Sequence, residues 1–129
     1  MSFFSKLFEK FIPKEPESKK SFEEIYNDLG IFEYSDNGFK IGLIDSTETI
    51  KWAEIDEINA YKKDVYAYDL VVMEIVCGKN SFSVNEETPG WFQLVIKLKE
   101  IFESIPKDWE VNITQPPFAT NFTTIYKRE

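Results

Sequence analysis

The feature that most constrains this chain is a change of period in its apolar residues near position 88. From Ile31 to Glu87 apolar and polar residues tend to alternate, and from Trp91 to Ile105 apolar residues recur every three or four positions. A period of two puts one set of side chains on one face of a strand, whereas a period near 3.6 builds one face of a helix. Strands followed by a single longer helix predict an α+β domain. The order predicts an antiparallel curved sheet or half-barrel of the pleckstrin-homology-like kind, capped by one long helix at about 89–104, with short helices at the N-terminus.

Local signals place the elements. Ser21 and Glu24 form a capping box ahead of Phe22, Ile25 and Leu29, and Gly30 supplies a left-handed stop, so a short helix is predicted there. Ile31–Tyr34 and Phe39–Leu43 flank Asp36-Asn37-Gly38, a hairpin signal in which the turn is expected to use positive φ. Trp52, Ile55 and Ile58 are three apart, too tight for a strand, and predict one helical turn after Thr49–Lys51. Leu70–Cys77 and Ser81–Asn85 form a second hairpin around Gly78-Lys79-Asn80. Thr88 is placed to cap the long helix and Pro89 to occupy its first turn. The tail offers Trp109–Ile113 and Phe122–Tyr126 as closing strands, with Pro116-Pro117 between them.

Charge divides the chain. Residues 1–20 carry five Lys and three Glu, a net of +2, while residues 21–129 carry ten basic and twenty acidic side chains, a net of −10. The first twelve residues set Phe3, Phe4, Leu7, Phe8, Phe11 and Ile12 on one helical face, and Pro13 and Pro16 end that pattern in a charged linker. Residues 1–20 are thus read as an amphipathic segment with its linker, and residues 21–129 as a single α+β domain. With 129 residues and 16% aromatics, the chain can bury a real core and does not have the composition of a disordered one.

Several chemistries are excluded by residue type. The chain has no histidine and one cysteine, so Ser–His–Asp and Cys–His catalysis and His- or multi-Cys zinc sites cannot be built. One cysteine forms no internal disulfide, which fits a reducing compartment, and the N-terminus lacks the pattern of a secretory leader; a cytoplasmic location is expected. Cys77, within Val71–Cys77, reads as a small buried hydrophobe. A formal charge of −8 argues against nucleic acid as a partner, since that binding rests on a positive surface field. No cofactor is expected.

A longer pattern then emerges: Trp52-x2-Ile55-x2-Ile58-x-Ala60-Tyr61-Lys62-x-Asp64, then Gly90-Trp91, then Pro117-Phe118, Asn121, Thr123 and Ile125-Tyr126-Lys127-Arg128. Over roughly residues 48–128 this resembles a group of small bacterial proteins with the signature W-x2-I-x2-I-x-A-[FY]-K-x-D, GW, P-x-F-x-x-N-x-T-x-[IL]-Y-x-R. The resemblance implies a shared fold and a bacterial origin, and it brings no activity with it.

Candidate site residues fall in two groups. Lys62, Asp64 and Asp69 flank the stretch Val65–Tyr68, and Glu86 and Glu87 precede the long helix. These carboxylates could ligate a hard divalent cation, or they could pin the loop and face the positive end of the helix; the second reading is preferred, with no catalytic residue and no metal. Phe4, Phe8 and Phe11 form the second group, an apolar stripe that needs a partner: the domain itself, a second copy, another protein, or a membrane surface. Tryptophans 52, 91 and 109 read as core, and Arg128, the one arginine, as a strand-end charge or as a clamp on a carboxylate. The expected function is a non-enzymatic bacterial cytoplasmic protein-interaction domain, acidic, of an immunity or adaptor type. The alternatives are a membrane-surface adaptor anchored through residues 1–12 and a carboxylate-dependent enzyme.

Overall fold

The structure is a computed structural model and describes residues 21–65, 68–116 and 119–129. Phe4, Phe8 and Phe11, with the rest of the amphipathic segment and its linker, lie outside the described residues, as do Pro117 and Phe118.

The described residues form helix α1 (Phe22–Asn27), strands β1 (Phe32–Tyr34), β2 (Gly38–Gly42) and β3 (Thr47–Lys51), and a 3₁₀ turn (Trp52–Glu54). They continue with β4 (Glu57–Val65), β5 (Tyr68–Cys77), β6 (Asn80–Asn85), α2 (Trp91–Ile101), α3 (Trp109–Ile113) and β7 (Thr123–Lys127). All pairing is antiparallel, and the strands divide into two open sheets, β1-β2-β3 and β6-β5-β4-β7. A mixed α+β fold is therefore present. It has two sheets where one curved sheet was expected, because the chain leaves β3 through the 3₁₀ turn and β4 pairs with β5 and β7 instead.

Alternation explains which residues face inward. Phe39 pairs with Ile50 and Phe32 with Ile41 in the small sheet. In the large sheet Ile58 pairs with Ile75, Ala60 with Met73, and Met73 with Val84. These side chains share one core with Trp91, Leu94, Val95 and Leu98 of α2 and with Trp109 and Ile113 of α3. All three tryptophans are buried, as expected.

Three expectations about the helices are corrected. The longest described helix covers Trp91–Ile101, short of 89–104, because Phe102 leaves the helical region at φ −113°, ψ 89°; Ile105 still reaches the core from the turns that follow. Gly90, at φ 92°, stands at the helix entry, while Thr88 Oγ1 accepts from Asn85 N–H (3.1 Å) and so holds the preceding turn. Trp109–Ile113 forms a helix. Its W-E-V-N-I alternation imitates a strand, but Trp109 and Ile113, four apart, are the buried pair and Val111 is 66% exposed.

Two glycines are fixed by space. A Cβ on Gly30 (φ 59°) would meet Pro89 O at 2.0 Å, and one on Gly90 would meet Leu29 O at 2.3 Å, so the entries to α1's exit and to α2 press backbone on backbone. Gly38 has no positive φ, contrary to the turn expectation; it is required because a Cβ there would meet Ile50 O at 2.0 Å. Gly78 does have positive φ (61°), with nothing within 4 Å of a Cβ. Gly78→Ala is expected to cost about 1–2 kcal/mol, the left-handed penalty alone. Gly30→Ala should cost more, read as a larger fall in the urea midpoint at unchanged slope.

Candidate functional site

Two neighbouring features, a buried cation and an apolar cleft, occupy the end of the large sheet where β5 begins.

Lys62 lies on the inward face of β4 opposite Val71, and its side chain is 1% exposed. An ammonium so placed must fill its donors or lose several kcal/mol of hydration without return. Its Nζ stands 3.4 Å from Asp69 Oδ2 and donates to Thr114 O (2.9 Å) and Pro116 O (2.5 Å). Lys62 N–H also donates to Thr120 O (2.8 Å). The lysine thus ties the β4–β5 ladder to the chain that leaves α3, across the cis Gln115–Pro116 bond.

The acidic candidates gather around the same strand start. Asp64 and Asp69 are register partners across the hairpin. Glu86 continues the β5–β6 ladder past the end of β6: its N–H donates to Val71 O (3.0 Å) and its Oε1 accepts from Val71 N–H (3.1 Å). Glu87 accepts from the Tyr68 hydroxyl, and that hydrogen bond, with the charges of Glu87 and Glu86, holds the phenol above its ordinary pKa. Asp69 therefore serves an ammonium, and Glu86 a strand N–H. Among the described residues no group of three or more carboxylate or cysteine side chains is placed to hold a metal ion.

The cleft is made by the helices. Val71 of β5, Trp91, Phe92, Val95 and Ile96 of α2 and Tyr26 of α1 line an open cleft of about 350 Å³. Glu86, Lys99, Glu110 and Thr114 complete its lining. At the α3 end Lys99 pairs with Glu110 and donates to Lys107 O (2.6 Å). At the α1 end the wall is slighter: Gln93 Nε2 donates to Tyr26 O (2.7 Å), and the rings of Phe22, Tyr26 and Phe92 stand 5.7–5.9 Å apart. No residue of α1 is buried, and Phe22 (69%), Ile25 and Leu29 (52%) stay exposed beside the cleft. Its lining is mainly apolar, with Glu86, Lys99 and Glu110 as the charged groups.

Sequence reasoning named Lys62, Asp64, Asp69, Glu86 and Glu87 as candidates, with no spacing that fixes them together, and missed the cleft. Its one sequence signal is that Phe92 and Ile96, four apart, widen the apolar arc of α2 beyond what Trp91, Leu94, Val95 and Leu98 need.

At the opposite end of β5 a structural clamp forms. Arg128 NH1 lies 3.2 Å from Asp56 Oδ1, its NH2 donates to Ile55 O (3.0 Å) and Ala53 O, and Asp56 Oδ2 accepts from Gly78 N–H (2.6 Å). Cys77 sits beside it. Burial, with Asp56 and Glu54, raises its thiol pKa to about 11, against a smaller opposing effect of Arg128.

Lys62→Met is expected to destabilise by about 3–5 kcal/mol, as removal of one partner of a buried pair does. Arg128→Met, at a half-exposed pair, should cost about 1 kcal/mol or less by charge; denaturant titration of both compares them. Since the folded thiol is the weaker acid, the stability Cys77 contributes is whole below the ordinary value of 9.0 and is lost as pH rises toward 11. Its alkylation should accordingly climb with a midpoint near 11, measured as a pH–rate profile in the folded protein. No family model, curated protein or solved structure matches this chain.

Proposed function

We propose that this protein is a non-enzymatic protein-interaction domain of the bacterial cytoplasm, with an open pleckstrin-homology-like arrangement, and that it receives an apolar, basic segment of a partner protein in the cleft between α1, α2 and α3. The observation that carries this reading is the continuity of the cleft with exposed apolar surface, since the exposed ring of Phe22 packs against Tyr26 and Phe92 of the lining. Ile25 and Leu29 are exposed as well, and Glu86, Glu110 and Lys99 stand at the lining. Apolar patches of that kind, rimmed by charge, mark interaction surfaces on soluble domains. A net of −10 over residues 21–129 favours a basic partner and speeds the encounter, as an immunity or adaptor role needs. The single cysteine of the chain agrees with a reducing compartment. The polar side chains near the cleft support binding over bond chemistry, because Lys62 and Glu86 are bonded to backbone groups.

The test is a photo-reactive residue placed at Ile96 or, as a control, at Lys79 in the β5–β6 turn, in full-length protein expressed in a bacterial host. Position 96 is expected to yield a discrete adduct with a second protein, diminished by Glu86→Gln with Glu110→Gln and by raised salt. Equal adducts from both positions, or none from position 96, would sink the reading.

A further inference from the structure

The cleft lacks a cover among the described residues, and the chain carries a segment fitted to supply one. We propose that Phe4, Phe8 and Phe11 of the same chain occupy the cleft in cis, so that residues 1–12 act as a built-in competitor for its ligand. The proposal rests on the reading above only in taking the cleft as a seat for apolar side chains, and it can fail separately from it.

Three observations converge. The first is where the undescribed chain attaches. Residue 20 is followed by Ser21, whose Oγ accepts from Glu24 N–H (3.2 Å) as the cap of α1, and α1 carries Tyr26 in the cleft wall. Six helical residues rise about 9 Å, while the eight residues 13–20 can span up to about 27 Å. The amphipathic stretch is therefore tethered to the wall it would cover, with slack. A tether this short gives an effective concentration near ~1 mM, so even weak contacts fill the site.

The second observation is shape and polarity. Phe4, Phe8 and Phe11 fall at i, i+4 and i+7, the spacing with which an amphipathic helix enters an apolar groove. The walls offered to them are aromatic and branched: Tyr26, Phe92, Val95 and Ile96. The third is charge. Residues 1–20 carry +2 against −10 for the remainder, and Lys6 and Lys10, off the apolar face, can meet Glu86 at the cleft or Glu23 and Glu24 in the first turn of α1, while Glu110 is paired with Lys99.

The experiment uses the full chain with Cys77→Ser and Ser2→Cys, a nitroxide on the new thiol, and paramagnetic broadening read by NMR. The Trp91 indole N–H and the amides of Phe92, Val95 and Ile96 are expected to lose roughly half their intensity or more, as a tethered, mostly bound segment requires. The Gly78 amide, at the far end of β5, should keep its intensity. Phe4→Asp with Phe8→Asp should restore the cleft signals and, in the cross-linking assay at position 96, increase adduct with the second protein. Undiminished cleft signals in the parent, or broadening that survives the double substitution, overturns the proposal. Broadening in a mixture of spin-labelled and separately isotope-labelled chains assigns the segment to a second copy and overturns it too. Lack of a foreign adduct alongside specific broadening would remove the partner-binding reading and the competitor role with it, while leaving occupancy of the cleft by residues 1–12 intact.

Discussion

The β4–β5 ladder is the constraint on which the rest of the molecule depends. Nine register pairs run from Glu57↔Val76 to Val65↔Tyr68, and each outer side of this ribbon receives one more strand, β7 on β4 and β6 on β5. Because side chains alternate strictly, that register alone decides that Ile58, Ala60 and Lys62 face the core while Asn59 faces away. A slip of one residue would expose the apolar set and bury Glu57 and Lys63. Asn59 helps prevent it: its Nδ2 donates to Glu57 Oε2 (2.8 Å) and Glu74 Oε1 (3.1 Å), and Thr124 Oγ1 donates to its Oδ1 (2.7 Å). Three strands are thereby locked in register by one amide.

The two ends of this ribbon have different characters. One is closed by charge, with Arg128 and Asp56 joining β7, the 3₁₀ turn and the β5–β6 turn. The other is held by Lys62 and opens into the cleft, which is bordered by Val71 of β5, by α2, and by Tyr26 of α1, no residue of which is buried.

Much of the fold was legible in residue order. The Ser21–Glu24 box, both hairpins and the turn at Trp52–Glu54 stand where local chemistry puts them, because each depends on neighbours within a few positions. What local chemistry could not supply was context. Five residues of Trp109–Ile113 are too few for period two and period four to be told apart, and contact with Trp91 at 6.2 Å, edge to face, fits the helical choice. The polar candidates could be named from the sequence, yet neither their grouping nor their roles could: Lys62 meets Thr114 and Pro116, more than fifty residues on, and no spacing within the sequence announces that meeting. The cleft was hidden for the same reason, since its walls come from α1, α2, β5 and α3.

Strand β7 enters the large sheet beside β4, across roughly sixty residues of intervening chain. On a ribosome, β4 therefore emerges well before its outer neighbour exists, and its unpaired N–H and C=O groups form an open edge on the nascent polypeptide. Ala60 and Ile58 lie along that edge, so the interval before Thr123–Lys127 clears the exit tunnel is the time at which this domain is most exposed to pairing with a stranger.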